Sequence, residues 1–153
     1  MKTIPLVKGK ETIVDDEYYH YLNQFIWTTN KKGYVVTSKN KKLKSSILHR
    51  NIINCPKNKE IDHINHNKLD NRKSNLRVVT SSQNKMNMHK RFPGTSKFKG
   101  VHWKKTINKW VAQIRFNGKK IHLGVFIKEE DAALAYNKAA LTYYEKYAIL
   151  NKV

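Results

Sequence analysis

The sequence predicts an α+β fold in two small modules. The first is a strand–loop–strand–helix finger, and the second is a three-stranded antiparallel sheet packed on one helix. Two extended stretches around Asp62-His63 and Asn75–Val79 flank a polar loop and lead into a helix start at Thr80-Ser81. A later run, Lys109–Phe116, alternates strictly, meets Asn117-Gly118 and continues as Lys119–Phe126, which is hairpin chemistry. Between the two lies Arg91-Phe92-Pro93-Gly94-Thr95-Ser96, a turn and linker composition. The expected modules are therefore residues 1–92 and 93–153, with cores at 48–88 and 97–150. A length of 153 residues suits two such units, neither able to bury a large core alone.

Charge narrows the partner. Lys and Arg number 31 against 11 Asp and Glu, a net +20. Residues 1–92 carry 19 basic and 7 acidic side chains, and residues 93–153 carry 12 and 4. So much like charge on a small body fits a polyanionic partner, nucleic acid above all. Disorder does not fit, because 39% of the residues are apolar and aromatics recur throughout. No run of 18 apolar residues suggests a membrane span, and Met1–Lys10 lacks the apolar stretch of a secretory signal. The interior of a bacterial or phage-infected cell is the expected compartment. A single cysteine, Cys55, excludes an intrachain disulfide and a cysteine-rich zinc site.

In the first module, Asp15-Asp16 reads as a helix start, followed at helical spacing by Tyr18, Tyr21, Leu22, Phe25 and Ile26. Tyr34–Thr37 reads as a strand, Lys39–Lys44 as a basic hairpin tip, and Ser46–Arg50 as the returning strand. That tip either contacts DNA or stays solvated. The chemistry concentrates at Asp62-His63. A carboxylate ligates a hard cation such as Mg²⁺, and a neutral imidazole beside it takes a proton from water near pH 7. Asn84, one turn into the helix capped by Thr80, is placed to offer a second oxygen to the same ion.

Order and spacing across Leu48–Asn87 resemble the HNH endonucleases of the ββα-metal, or His-Me finger, type, especially the small phage and intron-associated homing nucleases. The matching residues are Leu48-His49-Arg50, Asp62-His63, Leu69-Asp70-Asn71-Arg72, Asn75-Leu76-Arg77 and Gln83-Asn84. The resemblance implies Asp62 and Asn84 as metal ligands, His63 as general base, and Asn75 as the residue that pins the loop and orients the base. His49, Arg50 and Arg72 match positions of structural or phosphate-contacting character. The resulting H-N-N motif implies Mg²⁺ or Mn²⁺ over a tightly held Zn²⁺. The expected products carry 5′-phosphate and 3′-hydroxyl ends.

The second module reads by face. Trp110, Ala112, Ile114 and Phe116 form one side of the central strand, and Lys109, Val111, Gln113 and Arg115 the other. On the third strand, alternation puts Ile121, Leu123 and Val125 on the apolar side, with Lys120, His122 and Gly124 opposite. Gly100–Trp103 is the short first strand. Glu129-Glu130-Asp131 opens a helix whose alanines allow close packing on the sheet. From Lys97 to Ile127 there are eight basic residues and no acid. A one-sided positive sheet fits a DNA groove.

Residues 96–151 resemble the plant-type Apetala/ethylene-response DNA-binding domain, an appendage of some HNH nucleases. The resemblance rests on Ser96–Val101, Lys109–Arg115, His122-Leu123-Gly124, Phe126, Glu130, Ala132-Ala133, Ala135-Tyr136, Ala139-Ala140 and Leu150-Asn151. It implies DNA contacts from Lys99, His102, Gln113, Arg115, Lys120 and His122. Lys and His replace several Arg and Trp of that family, and Gln113 replaces an acid, so its recognition sequence does not transfer. The combined expectation is a metal-dependent endonuclease acting on double-stranded DNA, with no membrane partner and no small-molecule cofactor. An inactive DNA-binding regulator and an RNA- or structure-specific nuclease are the rivals.

Overall fold

The computed structural model describes residues 1–7, 9–38, 40–90 and 94–153. Within these, the chain forms two compact units, Met1–Ser81 and Ser82–Val153. Arg91, Phe92 and Pro93 of the expected linker lie outside the described residues.

The first unit opens on a hairpin that the sequence reading passed over. Strands β1 (Lys2–Pro5) and β2 (Glu11–Val14) pair antiparallel. Ile4, Thr12 and Val14 point into the core while Lys2, Thr3 and Pro5 stay exposed. Four residues per strand give too few alternations to stand out among the flanking lysines. Helix α1 (Asp16–Leu22) starts where expected, with Asp16 and Glu17 at its positive end. It stops at Leu22, because the buried Trp27 indole donates to the Leu22 carbonyl at 2.8 Å. Ile26 consequently lies beyond the helix and is 79% exposed.

Strands β3 (Thr28–Thr29) and β4 (Val35–Val36) form a two-residue ladder. The expected returning strand at Ser46–Arg50 is reduced to one bridge, Val36 to Ile47, and the chain then coils into α2 (His49–Ile52). Asn51 winds this segment. Its amide donates to the Ser45 and Ile47 carbonyls at 2.9 and 3.0 Å and accepts from the Ser45 N–H at 3.2 Å. Strands β5 (Glu60–His63) and β6 (Leu76–Val79) pair antiparallel, with Asp62 opposite Arg77 and His63 opposite Leu76. Their 64–75 connection ends in a 3-10 turn, Lys73–Asn75. Ile4, Leu6, Val14, Leu22, Trp27, Leu48, Ile61 and Leu76 share one core.

Helix α3 (Ser81–Met86) follows directly and runs across the division between the units. Met86 belongs to the second core, with Ile114, Tyr136, Ala139, Ala140 and Tyr144. In the second unit, β7 (Val101–Lys104), β8 (Lys109–Phe116) and β9 (Lys119–Phe126) form an antiparallel sheet in sequence order. Asn117 and Gly118 turn the β8–β9 hairpin with φ of 48° and 76°, the doubly left-handed turn expected of that pair. Helix α4 (Glu129–Tyr144) lays Ala132, Ala133, Tyr136, Ala139 and Ala140 against the sheet.

One face assignment is corrected. The β8–β9 register shifts between Ala112 and Gln113, so Gly124 pairs with Ala112, Val125 with Val111 and Phe126 with Trp110. Strict alternation fails there because Leu123 is an extra residue on β9. Val125 moves to the outer face, 42% exposed, and Phe126 takes the core position beside Ala132 and Ala133.

Candidate active site and nucleic-acid interface

The β5–β6 pairing sets the polar residues of the first unit. Asp62 and His63 end β5 and are buried, at 8% and 4% exposure. The Arg77 guanidinium, across the ladder, donates to Asp62 Oδ2 from Nε at 2.9 Å and from a terminal nitrogen at 2.8 Å. An arginine fork fixes the direction of a carboxylate. The sequence motif contained Arg77 without assigning it this role.

His63 Nε2 lies 3.1 Å from Asn71 Oδ1. Burial pushes the His63 imidazole below its ordinary value, opposed by the Asn71 bond and by the Asp62 charge. The ring is therefore neutral near pH 7, the form that accepts a proton. His49 stacks edge-on against it with centroids 5.2 Å apart, and Tyr34 meets both rings. Burial, with His63 and Arg50 close by, pushes His49 down to about 3, so it sits as an uncharged packing group. Arg50 is half-buried at the middle of α2.

The 64–75 loop is held from within and from behind. Asn75 donates from Nδ2 to the Asp70 carbonyl at 2.7 Å, and its Oδ1 accepts the Asn65 N–H at 3.0 Å. The Asn75 backbone carbonyl also accepts the Ile64 N–H at 2.9 Å. Asp70 is 2% exposed and takes the Arg72 guanidinium in a two-point contact at 2.8 and 2.7 Å, plus the Asn65 amide at 2.9 Å. Arg72 thus spends its charge on the loop. Behind it, Ile13 on β2 bonds through its backbone to Leu69 and Asn71, both at 2.8 Å. These braces join residues nearly sixty positions apart, which no local pattern reveals.

Asn84 sits on α3, within the second unit. Among the described residues, no three His, Cys, Asp or Glu side chains gather as a metal cluster. Asp62 is an oxygen donor of the kind that a hard divalent ion takes, alongside water and phosphate oxygens. No helix among the described residues is long and apolar enough to cross a membrane.

In the sheet, His102 pairs with Val111, Gln113 with His122, and Arg115 with Lys120. Val111, Gln113 and Arg115 alternate along β8, so His102, Gln113, Arg115, Lys120 and His122 share the face away from α4. Lys99 differs. Its ammonium donates to the Met86 and Met88 carbonyls, both at 2.7 Å, where α3 ends. Burial pushes it down to about 8. Its charge is engaged with the backbone rather than displayed on the sheet.

Residues 54–86 match a family model described as HNH endonuclease. The chain is also 32% identical over 152 residues to an uncharacterized HNH endonuclease of Acanthamoeba polyphaga mimivirus, spanning 95% of this chain and 77% of the relative.

Proposed function

This chain belongs to the HNH endonuclease family, and we propose that within it the protein is a metal-dependent, homing-type enzyme that hydrolyses duplex DNA. The observation that carries this reading is the pair at the end of β5. A buried carboxylate stands beside a buried, neutral imidazole, inside the segment matched by the family. Water gives its proton to His63 as its oxygen attacks phosphorus. Asp62, oriented by Arg77, and Asn84 are the proposed holders of a Mg²⁺ or Mn²⁺ ion, Asn84 on the strength of the motif order. Such an ion, when bound, neutralises charge building on the phosphate. Asn75 keeps the loop closed around the pair, with Asp70 and Arg72 as its internal tie.

The C-terminal sheet is the proposed DNA-binding element, similar to the Apetala-type domain. Arg115, Lys120, His122, Gln113 and His102 supply its contacts. The absence of acids on that face and its cross-strand pairing support this role.

Supercoiled plasmid tests the proposal. The purified protein should nick or cut it with Mg²⁺ or Mn²⁺ and stop when chelator is added, leaving 5′-phosphate and 3′-hydroxyl ends. His63→Ala should lose at least ~10²-fold in rate, the usual range for general-base removal, with DNA affinity unchanged. Full activity in excess chelator, or in His63→Ala, sinks the mechanism.

A further inference from the structure

The hydrogen bonds behind His63 have a fixed direction, and that direction selects a tautomer. The Asn71 amide Nδ2 faces the Lys68 carbonyl at 3.2 Å and the Thr12 hydroxyl at 2.8 Å. A carbonyl only accepts, so the group facing it is the NH₂, and Oδ1 is the atom turned to His63 Nε2. The Thr12 hydroxyl spends its own proton on the Leu69 carbonyl at 2.8 Å, leaving its oxygen to accept from Asn71. The Lys68 and Leu69 backbone carbonyls thus set the polarity of every bond down to the imidazole. Asn71 Oδ1 cannot donate, so Nε2 must. The opposite tautomer would set a ring lone pair against the amide oxygen. Asn71 and Thr12 are 1% and 0% exposed, so solvent does not compete with these partners.

We propose that Thr12 and Asn71 are positioning residues that hold His63 with its proton on Nε2 and its lone pair on Nδ1. The N-terminal hairpin thereby becomes part of the nuclease machinery. The inference rests on His63 acting as the base. In the step, a water O–H proton moves to Nδ1 and the water oxygen forms the new P–O bond. The bond to the 3′ oxygen breaks with its electron pair on that oxygen, which takes a proton from solvent. Nε2–H keeps its Asn71 acceptor throughout, so the imidazolium formed is stabilised without any rearrangement.

Long-range ¹H–¹⁵N correlation on the histidine-labelled full chain reads the tautomer directly. His63 should show the Nε2–H pattern in the wild-type chain and in Thr12→Ser, which keeps the hydroxyl. Thr12→Val keeps the shape and removes the hydrogen bonds. With only the longer 3.2 Å bond to the Lys68 carbonyl left to orient Asn71, it should raise the Nδ1–H fraction and lower plasmid cleavage by about 10- to 100-fold, the range for hydrogen-bond partners that orient metal-site histidines, with DNA affinity unchanged. An Nδ1–H pattern in the wild-type chain overturns the inference even if Thr12→Val does not fold. So does a Thr12→Val protein with an unmixed Nε2–H ring and full cleavage rate. A wild-type Nε2–H pattern together with full cleavage by His63→Ala would instead bring down the base assignment, and the geometry behind the tautomer would stand.

Discussion

Asp70 shows how one residue can organise a reactive loop without touching substrate. Its carboxyl, almost fully buried, is held below the ordinary carboxylate range by the Arg72 guanidinium first and by the Asn65 amide as well. A carboxyl lowered in the folded chain contributes stability above its unfolded value and loses it as pH falls through the folded one. Unfolding by denaturant at pH 7 and at about pH 3 should therefore show a falling difference on acidification, since unfolded Asp titrates near ~3.9. Asp70→Asn should be less stable than wild type at pH 7 and should flatten that acid dependence. Equal pH profiles for the two proteins would remove Asp70 as the tie. At this scale the reading from sequence reached Asp62 and His63, because adjacent residues of that chemistry are visible in any window. It passed over the roles of Arg77 and Asn71. Arg77 acts across a ladder, and Asn71 depends on Thr12, 59 positions earlier.

Elements were legible in proportion to the length of their repeating pattern. β8 and β9 begin and end, and α4 begins, where their alternation, Asn117-Gly118 turn and acidic helix start put them. β4 lies inside the expected Tyr34–Thr37 strand, β3 and α2 carried no such pattern, and side-chain bonds from Asn51 decided the fold leading into α2. The β9 bulge had one local signal, a glycine inside an otherwise regular strand. Gly124 holds φ at 139°, and a Cβ on it would lie 2.9 Å from the Phe126 ring. Gly124→Ala should therefore cost more than about 1 kcal/mol, since alanine is strained at positive φ and Phe126 has nowhere cheap to go. Thermal unfolding checks this. An unchanged midpoint would mean that the bulge can relax, and the Val125 and Phe126 placements would then lose their anchor.

Across the whole molecule, charge works against folding and for binding. Arg115 and Lys120 face each other directly across β8 and β9, both exposed. Like charges opposed on a sheet cost stability, roughly 0.2–1 kcal/mol on the scale of such pairs. The chain carries a net +20, and residues 97–127, which form the sheet, contain no acid to relieve them. A structural sheet face gains nothing from this arrangement, whereas a phosphate-binding face needs it. The two functions can be separated by one substitution. Lys120→Glu makes an opposite-charge pair with Arg115, so the free protein should unfold at a slightly higher temperature. The same change should weaken DNA binding for all sequences and make the logarithmic salt dependence shallower by about one or two counterions. Arg115→Ala should behave differently, costing roughly 1–3 kcal/mol at the preferred site and relaxing preference at one base pair, as expected of a two-point contact to guanine. The informative result is the opposition of signs in Lys120→Glu. If stability rises while affinity and salt slope stay at wild-type values, the face is not where DNA binds, and the repulsion between Arg115 and Lys120 needs another partner to explain it.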